Sequence, residues 1–119
     1  MAEIQVQSGT MDLLLVHKDV AWAMVITTGK FKAPGGWVTV GHYMSEHQKR
    51  ETGMSDIIGQ LRDGRMLAIE TKDTGETPTE EQYSFLDLVR NNGGVSFWSD
   101  SVDGVMKQLS EQIQWKQPT

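Results

Sequence analysis

The sequence predicts an α/β fold in one domain spanning residues 1–119. Three observations carry that expectation. Two short apolar runs flank Arg62-Asp63-Gly64, a hairpin pattern. A helix with marked start and stop signals follows, leading into another short apolar run. Apolar residues at near-helical spacing occupy both ends of the chain. With 38% apolar residues and four tryptophans, the chain can bury an ordinary core. It contains no cysteine, which removes disulfides and Cys-based zinc sites. No apolar run reaches the roughly 18 residues of a membrane span, and the first residues lack the basic segment and cleavage site of a signal peptide. A soluble, cytoplasmic protein is the expectation. The formal charge of −5 argues against a general nucleic-acid coat but not against a nuclease, whose metal-binding acids are offset locally by cations.

Residues 2–17 carry Ile4, Met11, Leu14 and Leu15 near helical spacing, with Gly9 as a weak point, and predict a helix. Glu3 falls in its first turn, where an acid suits the helix dipole; any chemical role requires it to point back at the sheet. Residues 20–27 predict a buried strand, and residues 37–40 a second. Between them, residues 29–36 read as a turn-rich loop bearing Lys30 and Lys32, either a solvated hairpin end or a phosphate contact. Residues 41–53 are polar and aperiodic, expected as a loop or short helix beside the site, with further basic residues at Lys49 and Arg50. His42 and His47 are possible zinc ligands, but nothing else completes such a set, and surface or substrate-contacting histidines are the plainer reading.

The stretch 55–72 organises the chain. Strand side chains alternate between faces, so Glu70 and Lys72 share one side. A two-residue turn at Asp63-Gly64 would put Asp56 opposite Thr71. A three-residue loop, Arg62-Asp63-Gly64, with Gly64 in the left-handed conformation puts Asp56 opposite Glu70, and this register is predicted. Ile57, Leu61, Leu67 and Ile69 then form the core face. Two carboxylates and an ammonium at a sheet edge suit Mg²⁺ and a phosphodiester, since a lysine can stabilise phosphate charge and orient a water. The same residues also fit a plain hairpin with a surface Asp and an exposed Glu/Lys pair.

After Lys72, residues 73–76 form a loop. Thr77 is the expected N-cap, with Pro78 at the first helical position and Glu80 completing a capping box. The helix continues through Phe85, Leu86, Leu88 and Val89 and stops at Asn91-Asn92-Gly93-Gly94. Gln82 lies on the inward stripe with Leu86 and Val89, either half exposed at the helix end or placed to touch substrate or a water at the cation. Residues 95–98 predict a strand. Residues 101–115 predict an amphipathic helix on Val102, Val105, Met106, Leu109 and Ile113, with a frayed tail after it.

Taken together, Gly53-Met54-Ser55-Asp56-Ile57-Ile58-Gly59, Gly64 to Lys72, Gly75, Thr79, Gln82, Phe85-Leu86 and Gly93-Gly94 resemble the VRR-NUC domain. This is the virus-type replication–repair branch of the PD-(D/E)xK nucleases. Glu3-Ile4-Gln5 and the strand ending Thr28-Gly29 look like that family's opening. The resemblance spans nearly the whole chain and is most specific between residues 53 and 94. It departs at Ser55, where the motif has Pro, and in the longer stretch 42–52.

The resemblance implies a restriction-endonuclease-like core: a central mixed sheet flanked by helices, in the order α-β-β-β-β-α-β-α. It implies Asp56, Glu70 and the Thr71 carbonyl as ligands of Mg²⁺ or Mn²⁺, with Glu3 as an upstream acid. Lys72 would be the catalytic lysine and Gln82 the helix-borne glutamine of the motif. Lys30, Lys32, Lys49 and Arg50 are the expected DNA contacts. The activity implied is a metal-dependent DNA endonuclease acting on branched DNA as a homodimer, of a type that phages and prophages encode. The alternatives are a flap or single-strand nuclease of the same fold and a non-catalytic DNA- or protein-binding module.

Overall fold

The computed structural model describes residues 1–26, 29–40, 42–44, 49–51 and 53–114. The elements run α1 (Glu3–Val16), β1 (Val20–Val25), β2 (Gly29–Ala33), β3 (Gly36–Val40), β4 (His42–Met44), β5 (Lys49–Glu51), β6 (Ile57–Leu61), β7 (Met66–Thr71), α2 (Glu80–Asn91), β8 (Val95–Ser99) and α3 (Val102–Gln114). Four strands form a central sheet in the order β1-β6-β7-β8. The first two pairings are antiparallel and β7 pairs with β8 in parallel, so the sheet is mixed. The crossover between the parallel strands is α2, as parallel neighbours require.

The β6–β7 hairpin takes the predicted register. Ile57 pairs with Ile69 and Gln60 with Met66, which sets Asp56 opposite Glu70. The Gly64 N–H donates to the Leu61 carbonyl at 2.9 Å, and Gly64 has φ +100°, a conformation that a residue without Cβ adopts at little cost. Ile57, Leu61, Leu67 and Ile69 pack with Val20, Val95, Phe97, Val105, Leu109 and Leu14 under α1 and α3. The opposite face carries Ala68, which packs with Phe85, Leu86 and Val89 of α2. Burying a side chain such as Leu109 or Phe97 stabilises the fold by about 1.5–3 kcal/mol. The turn of the hairpin is tied to the end of α3, because Arg65 donates to the carbonyls of Gln112 and Ile113.

Several expectations change. The helix α1 is present, but its buried face is Val6, Thr10 and Leu14, while Ile4 and Leu15 face solvent. Gly9 is more than a weak point: a Cβ there would lie 2.7 Å from Val102 Cγ2, so it lets α3 start close against α1. The strand β1 is an edge strand rather than a buried one. Among the described residues β6 is its one neighbour in the sheet, and Trp22 and Met24 stand about half exposed. An apolar run reports the residues and not how many faces are covered. Thr27, the expected end of that strand, lies outside the described residues, as does Trp115 at the end of the last helix. Met106 of α3 is also exposed.

Residues 29–36 are not a loop. β2 pairs with β3 across a Pro34-Gly35 turn, and this two-stranded hairpin stands apart from the central sheet. The expected second strand, residues 37–40, therefore never joins that sheet. Residues 42–44 and 49–51 make a further two-stranded hairpin where a loop or short helix was expected. Among the described residues seven strands therefore lie between α1 and α2, of which three enter the central sheet. The helix α2 begins two residues later than expected, with Thr79 as N-cap, and ends as predicted at Asn91, with Gly93 at φ +91°. Among the described residues no helix is long and apolar enough to cross a membrane.

Candidate metal centre

The site forms where β6 begins and β7 ends, and two helix starts close over it. Antiparallel pairing carries Asp56 and Glu70 to the same end of the sheet. The Asp56 N–H donates to Glu70 Oε2 at 3.1 Å, which fixes one carboxylate against the backbone of the other acid. Asp56 does not lie flat beside Glu70. Its Oδ1 accepts from the Thr71 N–H at 3.1 Å, and its Oδ2 accepts from the Thr71 hydroxyl and from Gln7 Nε2, the latter at 3.1 Å. The backbone register is thus Asp56 to Glu70, while the Asp56 side chain reaches across to Thr71.

Glu3 completes the cluster. Carboxylate oxygens of Glu3, Asp56 and Glu70 lie within 4.8 Å of one another. Its placement follows from the start of α1. Ala2 supplies no side-chain cap, and the Glu3 N–H, an orphan donor of the first turn, donates instead to the Asp73 carboxylate. Thr74 reinforces the contact, its N–H donating to the Met1 carbonyl at 3.1 Å. The segment just after Lys72 therefore anchors the helix that delivers the third acid. Gln7 follows Glu3 by one helical turn, so both side chains reach the same site.

Gln82 is held at both ends of its amide. Its Oε1 accepts from the Thr79 N–H at 2.9 Å, while the Thr79 hydroxyl accepts from the Gln82 N–H at 3.2 Å. This capping box turns Nε2 outward, and Nε2 donates to Glu70 Oε1 at 3.0 Å. Gln82 thus orients a candidate ligand, a more specific placement than the expected contact to water or substrate. Lys72 Nζ sits 3.8 Å from the same Glu70 oxygen, with its side chain 12% exposed.

Glu70 is 2% exposed, and its carboxyl is pushed up to about 8, first by burial and then by the charge of Asp56, with Lys72 opposing. Burial also raises Asp56, against the hydrogen bonds from Thr71 and Gln7. Glu3 is raised by burial and by Asp56. Were all three acids ionised, they would exceed the one ammonium by about the charge of a divalent cation, and their raised carboxyls reflect that crowding. An all-oxygen set of this size fits a hard cation such as Mg²⁺ or Mn²⁺.

The structure thus brings together Glu3, Asp56, Glu70, Thr71, Lys72 and Gln82. It places the basic residues elsewhere, on the two separate hairpins: Lys30 and Lys32 in β2, Lys49 and Arg50 in β5. His42 lies in β4 opposite Glu51, and His47 is outside the described residues. Sequence reasoning missed Gln7, Asp73 and the Thr71 side chain. The spacing Glu3-x-x-x-Gln7 was the available signal for the first of these, since it sets two polar groups on one helix face. No family model, curated protein or solved structure matches this chain.

Proposed function

We propose that this protein is a divalent-metal-dependent DNA endonuclease with a PD-(D/E)xK-type core, as the resemblance to VRR-NUC domains implies. The observation that carries the reading is the convergence of Glu3, Asp56 and Glu70 within 4.8 Å, with Lys72 beside them. Such a set costs stability in a fold that makes no use of it, because buried like charges repel and lose hydration. The mixed sheet flanked by helices, with the acids at the end of a central hairpin, supports the same reading.

In this reading Asp56, Glu70 and the Thr71 carbonyl hold one or two Mg²⁺ or Mn²⁺ ions, with Glu3 as a further acid. When bound there, a cation would supply charge stabilisation for the scissile phosphate and would make water a stronger acid. Lys72 adds a positive charge to the phosphate in the transition state and holds the attacking water in line. Gln82 and Gln7 keep Glu70 and Asp56 in the orientation that binds the cation. A C2 homodimer acting on branched DNA belongs to the same proposal, because one small protomer offers a duplex a single site.

Lys72→Ala should slow Mn²⁺-dependent cleavage by about 10²- to 10³-fold with the circular dichroism spectrum unchanged. Cleavage at the wild-type rate would show the site to be wrongly assigned. Calorimetric titration with Mn²⁺ separates the enzyme from a non-catalytic binding module, for which no binding is expected. Assays on junction, flap and linear DNA then rank the substrates, and light scattering tests the dimer.

A further inference from the structure

The hairpin β2–β3 pairs an exposed cation with an exposed indole. Lys32 lies directly opposite Trp37 in the register, and Trp37 is 70% exposed. Cross-strand neighbours have Cβ atoms about 5 Å apart, so ammonium and indole present as one surface. The Pro34-Gly35 turn next to them holds this surface at the tip of the ribbon.

We propose that this ribbon engages unpaired nucleotides, Lys32 taking a phosphate and Trp37 stacking on a base. Three observations support it. Residues 27–52 carry Lys30, Lys32, Lys49 and Arg50 against Glu46 and Glu51, a net positive insertion in a chain whose formal charge is −5. A cation beside an aromatic face is the combination that binds single strands without regard to sequence, whereas bases inside a duplex offer only their edges. The ribbon also grows out beside the metal centre, because the Ile26 N–H donates to the Asp56 carbonyl at 2.7 Å. Six residues of chain from Ile26 to Lys32 reach at most about 22 Å, the length of roughly six nucleotides.

The inference rests on the nuclease reading for its claim about where the unpaired segment lies relative to the cut. It assigns the substrate class: DNA with single-stranded character within a few nucleotides of the scissile bond.

Fluorescence anisotropy in EDTA measures binding to a fluorescein-labelled blunt duplex and to the same duplex with a single-stranded arm. Trp37→Ala should weaken binding to the armed DNA by about 5- to 100-fold and collapse the preference for it, and Trp37→Phe should restore most of that preference. Lys32→Ala should weaken binding to the armed DNA more than to the blunt duplex and lower the salt slope for the armed DNA by about one. The inference is overturned if wild-type protein binds neither DNA, or prefers neither. It is equally overturned if Trp37→Ala keeps the preference, or changes only self-association in sedimentation. Wild-type protein that prefers armed DNA through Trp37 yet cuts nothing in Mn²⁺ removes the nuclease and leaves the ribbon. Wild-type protein that cuts, with a preference indifferent to Trp37, removes the ribbon and leaves the nuclease.

Discussion

The metal-centre end of the central sheet and the β2–β3 hairpin are built on opposite terms. At the first, two of the three acids are held by defined groups: Asp56 by Thr71 and Gln7, Glu70 by Gln82 and the Asp56 backbone. At the second, Lys32 and Trp37 stand in solvent on a two-stranded ribbon. A group that must meet a cation is useful only if its position is fixed to a fraction of an ångström, so it belongs on paired strands and capped helices. An exposed cation and indole on a ribbon outside the central sheet carry no such positional constraint.

The contrast breaks most readily at the core. Phe97→Ala, a buried ring deleted beneath the sheet, should destabilise the protein by about 3–5 kcal/mol in urea denaturation and take the metal centre with it. A loss below about 1 kcal/mol would mean that the sheet is not the rigid support described above.

The next effect is electrostatic. A carboxyl raised to about 8 in the folded protein binds its proton more tightly than in the unfolded chain. Its contribution to stability is complete below pH 4.5, the ordinary value for Glu, and is lost as pH rises toward 8. Metal-free protein should therefore melt lower as pH climbs through that interval. Mn²⁺ displaces the proton, so its affinity should rise by up to about tenfold per pH unit. Glu70→Gln should flatten the stability profile, and an equally flat profile in wild-type protein would contradict the buried, charge-crowded environment of Glu70.

A smaller effect is expected at the start of α2. Thr79→Ala removes the hydroxyl that caps the Gln82 N–H and should cost about 1 kcal/mol of stability, read by thermal melting. Smallest of all, Trp37→Ala should change stability by no more than about 0.5 kcal/mol, because its side chain is largely in solvent. A larger drop would show the ribbon to be part of the core and would erase the distinction drawn here.

Much of this was legible in the sequence where one local rule had one outcome. Asp63 and Gly64 offered two hairpin registers, and the one expected because it sets Asp56 opposite Glu70, gathering Ile57, Leu61, Leu67 and Ile69 on the other face, is the one observed. The inward place of Gln82 followed from helical spacing. Where two local solutions were equally good, sequence could not choose. Thr77-x-x-Glu80 and Thr79-x-x-Gln82 both satisfy a capping box, and the helix starts at the second, where Gln82 also reaches Glu70. The apolar residues that marked α1 as a helix, Ile4 and Leu15, are not those it buries, because the docking face is set by the sheet and by α3. Asp73 as partner of α1 was invisible for a similar reason, since a contact between chain segments so far apart leaves no periodic trace. The hairpins were missed because glycine, proline and lysine read as loop, although Lys30-Phe31-Lys32 alternates as a strand does.

The anchoring of α1 by Asp73 also bears on how the protein comes to be folded. Asp56 and Glu70 meet as soon as a short hairpin zips, an event on the microsecond scale. Glu3 joins them only when its own helix docks against Asp73, a contact between distant parts of the chain, and contacts of high sequence separation slow folding. A cation held by all three acids would therefore gain its full affinity only once α1 has docked.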